Sequence, residues 1–515
     1  MIKYRKYEFP MLRGEHWWGG ASFDGVKMPF GEKTEYSRGL DPNSTMNQSA
    51  PFLVSDQGRY IWCDAGFKIE ISGGVISLQC AKGVPKLYDG YGTLRGAYLA
   101  ACAKHFPPSG KRPPDDFFTK PQFNTWIEFN YDQEQGAIEE YAARLHAAGY
   151  DCGVFMIDCG WSPYYGKWTF DPGKIPDPKG MIAKLHSYGF KVLLWTCPFI
   201  SPDSAESPRL RDGHMLIEKA DGTPALLQWW DGFSAVLDLT DPKARKWYLA
   251  QNKKLMREYG VDGFKMDAGD AYFYSEEHFT AAAADGNRHS ELWAKLALHY
   301  DYNELRASWK CGSLPLVQRL CDKLHSWEYN GVRSLVPCAL AQGIVGSAYT
   351  CPDMIGGGDY IDFSKERLLR LDSELFVRYA QNAALMPMMQ FSAAPWRVLQ
   401  ERENNICLSA ARLHEKFAPL ILSLADESAR TGEPIIRYME YEFPHQGLAE
   451  CIDQFMLGKN ILVAPVAEKG CTVRRVMLPE GRWRYCDGRV FGGGEAFVEA
   501  PLDVLPWFER MDPGL

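Results

Sequence analysis

Three stretches in the middle of the chain repeat one rhythm of apolar and polar positions. In the first, Ile138, Tyr141, Ala142, Leu145 and Ala148 recur at helical spacing, Gly149 ends the helix, and Val154-Phe-Met-Ile-Asp158 follows as a buried strand. In the second, Met181, Ile182, Leu185 and Tyr188 precede Gly189 and the strand Lys191-Val-Leu-Leu-Trp195. In the third, Thr240-Asp241-Pro242 opens a helix carrying Trp247, Tyr248, Leu255, Met256 and Tyr259. Gly260 closes it ahead of Val261-Asp-Gly-Phe-Lys-Met-Asp267. A capping side chain, a first-turn proline and a terminal glycine are the start and stop signals of a helix.

Helices alternating with strands predict parallel βα units. A doubly wound open sheet and an eight-stranded barrel both satisfy that pattern. No G-x-G-x-x-G follows the first strand, which weakens the dinucleotide-binding version of the open sheet. Glu128, Asp158, Trp195 and Asp267 fall at the ends of successive strands, as the catalytic rim of a barrel requires. The barrel is the predicted fold.

The flanks have another rhythm. Before residue 115 the chain is rich in Gly and Pro, with short alternating runs such as Arg59-Tyr-Ile-Trp-Cys63 and Phe67-Lys-Ile-Glu-Ile-Ser72. Bounded by turn residues, these predict a β-sandwich, with Pro107–Asp116 as a linker. From Thr431 onward, Asn460–Pro465, Val473–Leu478 and Trp483–Tyr485 read as short strands of a second sandwich. The expected organisation is therefore α/β: a (β/α)8 TIM barrel over 116–430, flanked by an N-terminal β-sandwich over 1–115 and a C-terminal β-sandwich over 431–515.

Composition narrows the partners. A net charge of −8 with 24% charged residues gives no electrostatic footprint for nucleic acid or an anionic membrane. No apolar run approaches the roughly 18–20 residues that span a bilayer, and the first residues lack an apolar signal core, so a cytoplasmic location is expected. The 14 cysteines are scattered without a C-x-x-C pair, which predicts free, mostly buried thiols and neither a metal site nor a cofactor. Sixteen Trp and 26 Tyr suit stacking on sugar rings, but equally a large core or a homo-oligomer interface.

Candidate chemistry centres on Gly263-Phe-Lys265-Met-Asp267-Ala-Gly-Asp270. Side chains alternate along a strand, so Lys265 and Asp267 face the same way, and a neighbouring lysine favours an ionised carboxylate. That pair suits a nucleophile or a structural ion pair. A proton donor would come from the next strand and loop, Gln318-Arg319-Leu-Cys-Asp322-Lys-Leu-His-Ser-Trp327-Glu328, where spacing leaves Asp322 and Glu328 both open.

These segments resemble glycoside hydrolase family 31, a group of retaining α-glycosidases and related enzymes. Lys265-Met-Asp267-Ala-Gly-Asp270 looks like the family's nucleophile signature Lys-x-Asp-x-Gly-Glu, with Asp270 in place of Glu. The family's acid/base Asp lies a few residues before a Trp and ahead of a Gly-Leu-x-x-x-Ile-Pro helix start. Asp322, Trp327 and Gly331-Val-Arg-Ser-Leu-Val-Pro337 are similar to that arrangement, with Cys321 where the family has Gly. Pro352-Asp353-Met-Ile-Gly356-Gly357 resembles the His-Asp-Ile-Gly-Gly motif, with Pro for His. Glu374–Gln381 and Pro387–Phe391 look like the last barrel unit, and Asp453–Gly458, Ala464–Val466 and Leu478–Trp483 like the family's C-terminal β-domain.

The resemblance implies Asp267 as nucleophile and Asp322 as acid/base. It implies that the substrate-binding set is Asp158, Trp195, Lys265, Arg319 and Asp353. Arg319 is expected to orient Asp322 or bind a substrate hydroxyl; several of the set have a plainer reading: a loop cap for Asp158, barrel filling for Trp195, an ion pair for Arg319. Glu374 is expected in a core salt bridge and His325 as an incidental loop residue. The implied reaction cleaves a terminal α-linked hexose, galactose or glucose, from a small oligosaccharide or glycoside through a glycosyl-aspartate. Trp126 and the Pro352 motif look closer to the branch with α-galactosidase-like members. A non-catalytic sugar-binding protein, or a lyase or transglycosylase sharing the nucleophile, stays open on the same fold.

Overall fold

The computed structural model describes residues 3–364 and 371–511. Eight parallel strands form its centre: β1 (Gln122–Asn124), β2 (Val154–Ile157), β3 (Lys191–Thr196), β4 (Gly263–Met266), β5 (Tyr302–Leu305), β6 (Val317–Arg319), β7 (Thr350–Cys351) and β8 (Gln390–Phe391). Each pairs with its chain neighbour from β1 to β7, and β8 returns to pair with β1. The circle closes through a parallel bridge between Met354 and Gln390, where Ile355 N donates to Gln390 O at 2.8 Å. This is the predicted TIM barrel.

The strands are short and buried on both faces because helices cover the outside and side chains fill the inside. Two of the covering helices are capped as their sequences require. Asp177 accepts from Gly180 N at 2.9 Å at the head of Pro178–Ser187, and Asp241 accepts from Lys243 N at 2.7 Å at the head of Pro242–Tyr259. Gly260 takes the left-handed conformation (φ 81°) that ends the second helix and turns the chain toward β4.

The N-terminal region holds two sheets. One is antiparallel, in the order Arg5–Pro10, Val75–Cys80, Lys68–Ser72, Tyr36–Gly39. The other contains Gln48–Ser55 and Tyr60–Trp62, and it takes in Ser308–Trp309 from the loop after β5 as a parallel strand. That shared strand stitches the sheet to the barrel rim. The C-terminal strands make one six-stranded antiparallel sheet, with Met456, Leu462, Val476, Trp483 and Phe508 packed together.

Several elements depart from expectation. A helix, Leu94–His105, precedes the predicted linker, and a 31-residue helix, Glu401–Thr431, closes the barrel. The second buries Ile406, Ala410, His414, Ile421 and Ala425 at helical spacing. Val473–Leu478 and Trp483–Tyr485 are one strand, Val473–Tyr485; Pro479 and Gly481 cause a register shift inside it rather than a turn between two. Glu128 does not reach the rim. It sits in the short helix Trp126–Phe129, pairs with Arg397 at 2.8 Å and accepts from Ala394 N. The cysteines are free thiols, most of them buried. Among the described residues no helix is long and apolar enough to cross a membrane.

Candidate active site

A cavity of about 440 Å3 opens at the C-terminal ends of the barrel strands. Asp158, Trp195, Lys265, Asp267, Arg319 and Asp322 all line it, brought from β2, β3, β4 and β6 and the residues just beyond them. Strand register explains the convergence. Trp195 lies opposite Lys265, and Lys265 opposite Glu304, so these side chains occupy one level of the barrel. Asp267 is two residues beyond Lys265 and faces the same interior one level higher.

Both oxygens of Asp267 are held. Trp195 Nε1 donates to Oδ2 at 2.9 Å, and Ala268 N donates to Oδ1 at 2.9 Å. The Arg306 guanidinium approaches Oδ1 at 3.4 Å. Burial by itself pushes the carboxyl up; the positive charges of Arg306, Lys265 and Arg319 and the Trp195 hydrogen bond outweigh it and hold Asp267 at about 2. The backbone beyond Asp267 turns sharply, with Ala268 and Gly269 at φ 56° and 82°. A Cβ on Gly269 would collide with the indole ring of Trp293, so only glycine fits there.

This charge has a stability consequence. Its folded value lies below the ordinary 3.8, so the stabilisation is complete above pH ~4 and is lost as pH falls toward about 2. The difference corresponds to about 2 kcal/mol. Asp267→Asn is therefore expected to melt below the wild type at neutral pH, with the gap narrowing as the pH is lowered below ~4. Thermal unfolding of both proteins across pH 3–7 checks this; a gap independent of pH would contradict it.

The Lys265 ammonium bonds Asp158 Oδ2 directly, at 2.6 Å, and reaches Asp267 only through its charge. Burial opposes the ammonium form and Asp158 restores it, leaving the Lys265 pKa raised. Asp158 also accepts from Cys159 N, so the carboxylate is fixed at the cavity floor while serving its own loop.

Across the cavity, Asp322 accepts from Arg319 Nη1 at 2.6 Å, and its side chain is 45% exposed. Gly358 lies against it: a Cβ there would come within 3.0 Å of Asp322 Cβ. Glu328 is exposed further along the loop and does not line the cavity, so the structure brings Asp322, not Glu328, together with Asp267. Asp353 lies behind Arg319. Its side chain has no exposure, and its oxygens accept from Arg319 Nη1 and Lys323 N, both at 2.7 Å. The expected direct contact of Asp353 with substrate is thus displaced by one layer, because the Arg319 guanidinium stands between its carboxyl and the cavity. Burial pushes Asp353 up, and although Arg319 opposes this it reaches about 7.

His325 bonds Gly356 O and Asp372 N, a structural role, and Glu374 accepts from Gly470 N on the C-terminal domain.

Arg306 escaped sequence reading. It follows β5, pairs with Asp270 and Asp267, and lines the cavity. As a charged residue after a strand it carried the same signal as Asp158. Trp230 also escaped. It sits at the tip of an antiparallel hairpin, Leu227–Trp229 and Gly232–Val236, inserted after β3, with Arg306 4.7 Å from its ring centroid. Asp231 beside it accepts from Tyr131 Oη at 2.9 Å and from the Tyr165 hydroxyl, pinning the tip across the mouth. Trp126, Tyr131 and Tyr360 form the facing aromatic wall. The N-terminal region contributes support: Asn47 N donates to Asp270 Oδ1 at 2.8 Å, and Gln48 Nε2 donates to the carbonyls of Arg306 and Arg319.

The sequence profile of the glycosyl hydrolases family 31 TIM-barrel domain matches residues 120–310, and that of the family 31 C-terminal domain matches residues 432–512. The chain is 33% identical over 409 residues to the myogenesis-regulating glycosidase of Mus musculus, covering 78% of this chain and 57% of that protein. It is 27% identical over 384 residues to the 1,3-α-isomaltosidase of Kribbella flavida, covering 66% of this chain and 50% of that one. The chain thus spans about half the length of these relatives. In three dimensions it is similar to a dextranase of Flavobacterium johnsoniae, with a TM-score of 0.86 at 20% identity, over 98% of this chain and 66% of the other.

Proposed function

The chain belongs to glycoside hydrolase family 31, and from that membership we propose that it is a retaining α-glycoside hydrolase acting on a terminal, uncharged α-linked hexose. The observation that carries this reading is the pairing in one cavity of Asp267, whose carboxyl its neighbours hold well below the usual range, with the accessible carboxyl of Asp322. In the first step an Asp267 oxygen attacks the anomeric carbon as the glycosidic C–O bond breaks. Asp322 gives its proton to the departing oxygen, and a glycosyl ester remains on Asp267. In the second step water attacks the same carbon, Asp322 takes the water's proton, and Asp267 leaves with the electron pair of the ester bond. Two inversions give net retention.

The charge of the cavity supports a neutral sugar. Its three lining cations are already spent: Lys265 on Asp158, Arg306 on Asp270 and Asp267, Arg319 on Asp322 and Asp353. Asp158, Asp267 and Asp359 face them and Asp322 carries the transferable proton, so the lining charges cancel and an anionic sugar would meet no free cation among the lining residues. Trp195 and Trp230 offer apolar faces for the sugar and its leaving group. Galactose and glucose both fit this chemistry, since Asp158 can accept from hydroxyls of either configuration.

A panel of p-nitrophenyl α-glycosides tests the reading. The wild type is expected to release nitrophenol from the α-galactoside or the α-glucoside and to leave the α-glucuronide intact. Turnover of the charged substrate at a similar rate would refute the charge argument. Failure on every α-glycoside would favour sugar binding without cleavage, and an unsaturated or anhydro product would identify a lyase.

A further inference from the structure

We propose that Asp353 is a positioning residue for the acid/base: by clamping the Arg319 guanidinium from behind, it decides which oxygen of Asp322 carries the transferable proton. The proposal rests on the glycosidase reading above.

Arg319 Nη1 is shared between Asp322 Oδ1 at 2.6 Å and Asp353 Oδ1 at 2.7 Å, with the Leu320 carbonyl further off at 3.1 Å. The bond to Asp322 ties up Oδ1 and leaves Oδ2, on a residue that lines the cavity, without a hydrogen-bond partner among the described residues. A carboxyl whose first oxygen accepts from arginine keeps its proton on the second, so this contact presents Oδ2 to the leaving group. The clamp matters because Arg319 has a second place to go. Among the described residues its Nε has no hydrogen-bond partner, and 3.7 Å away lies Glu304 Oε1, which also lacks one. Both atoms are buried, so a small rotation of Arg319 toward Glu304 would satisfy two unpaired polar atoms at the cost of the bond to Asp322.

Asp353 opposes that rotation, and the fold holds Asp353 firmly. Its second oxygen accepts from Lys323 N at 2.7 Å, on the same loop as Asp322. Its backbone stands at φ 106°, a region that a non-glycine residue occupies only when its surroundings impose it. Arg319 from β6, Asp322 and Lys323 from the following loop, Tyr379 from the helix Ser373–Ala384 and Cys351 on β7 are the ionisable groups whose charge it feels or perturbs. The side chain has no exposure, so its influence on the reaction passes through Arg319.

Asp353→Asn keeps the shape and removes one acceptor. The amide oxygen can serve Arg319 or Lys323 N but not both, and the amide nitrogen repels whichever donor it faces. The expected kinetic result is a split by leaving group. Turnover of a disaccharide, whose leaving oxygen needs the proton, should fall about ten- to hundredfold in kcat with KM changed less than about threefold. Turnover of the corresponding α-glycosyl fluoride, which needs little protonation, should fall less than about threefold. Arg319→Lys, which keeps the charge but loses the planar guanidinium that fixes both contacts, should show the same split if Asp353→Asn does not fold. A crystal structure of the variant should show Arg319 turned toward Glu304 and Asp322 released.

Equal losses on both substrates, or no loss on either, with Arg319 and Asp322 unmoved, would overturn the proposal. If the wild type turns over no α-glycoside, the glycosidase reading fails by itself. The positions of Arg319 and Asp322 in the variant crystal then decide the clamp alone.

Discussion

Asp267→Gly should lose on the order of 10⁴-fold or more in kcat on an α-glycoside, as removal of an attacking group does in other covalent mechanisms. The loss should be partly restored by added azide. The glycine leaves space where the carboxylate stood, and azide is a nucleophile that needs no general base. It would attack from the face Asp267 uses, while Asp322 still protonates the leaving oxygen. A single displacement inverts the anomeric carbon, so the product should be the β-glycosyl azide. Proton NMR of the product reads the configuration directly. Recovery of an α-azide, or near wild-type turnover without azide, would mean that Asp267 is not the nucleophile. The structural ground for the size of the effect is that every lining cation acts on this one carboxylate. Arg306 touches it, Lys265 and Arg319 act on it through space, and Trp195 fixes its second oxygen.

Asp322→Ala should behave differently. Loss of an acid/base typically costs about 10² to 10⁴ in rate, and the cost should grow as the leaving group becomes a poorer acid. A disaccharide should be nearly inert, whereas the α-glycosyl fluoride should still form the ester on Asp267 quickly. The ester then accumulates, because no base activates water. Azide should now speed the second step and give the α-glycosyl azide, since two displacements have occurred. Mass spectrometry of the trapped ester, located on the peptide containing Asp267, would check the assignment of both residues at once. An equal loss on both substrates would remove Asp322 from proton transfer. Glu328, exposed and outside the cavity, would not take its place, and Asp359 on the cavity wall would be the next candidate.

Much of the barrel was legible because its signals are local. The helices Pro178–Ser187 and Pro242–Tyr259 sit where apolar spacing and terminal glycines put them, the second also where Asp241 opens it, and β2, β3 and β4 follow as buried runs. Where local signals misled, a tertiary contact outweighed them. Pro479 and Gly481 read as a turn, yet pairing with Val490–Glu499 on either side carries the strand through. Glu128 read as a rim residue, yet Arg397, from a helix 269 positions away, draws it aside.

The candidate site divides along the same line. That Lys265 and Asp267 share a face follows from the two-residue period of any strand, and no other part of the chain is needed to know it. That Asp267 stays ionised depends on Arg306 and Arg319, which come from other strands and converge only when the barrel closes. The support for Asp270 from Asn47 spans 223 positions, and the placement of Trp230 over Arg306 depends on how an inserted hairpin folds back across the rim. So the sequence by itself determined the repeating βα units, their caps and the strand that carries the carboxylate, because periodicity and capping act over one or two turns. The family resemblance named Asp322 where spacing left two carboxyls open; only the tertiary structure decided that Asp353 stands behind Arg319 and which cations set the charge. Those outcomes depend on distances between segments that the chain's local pattern does not encode.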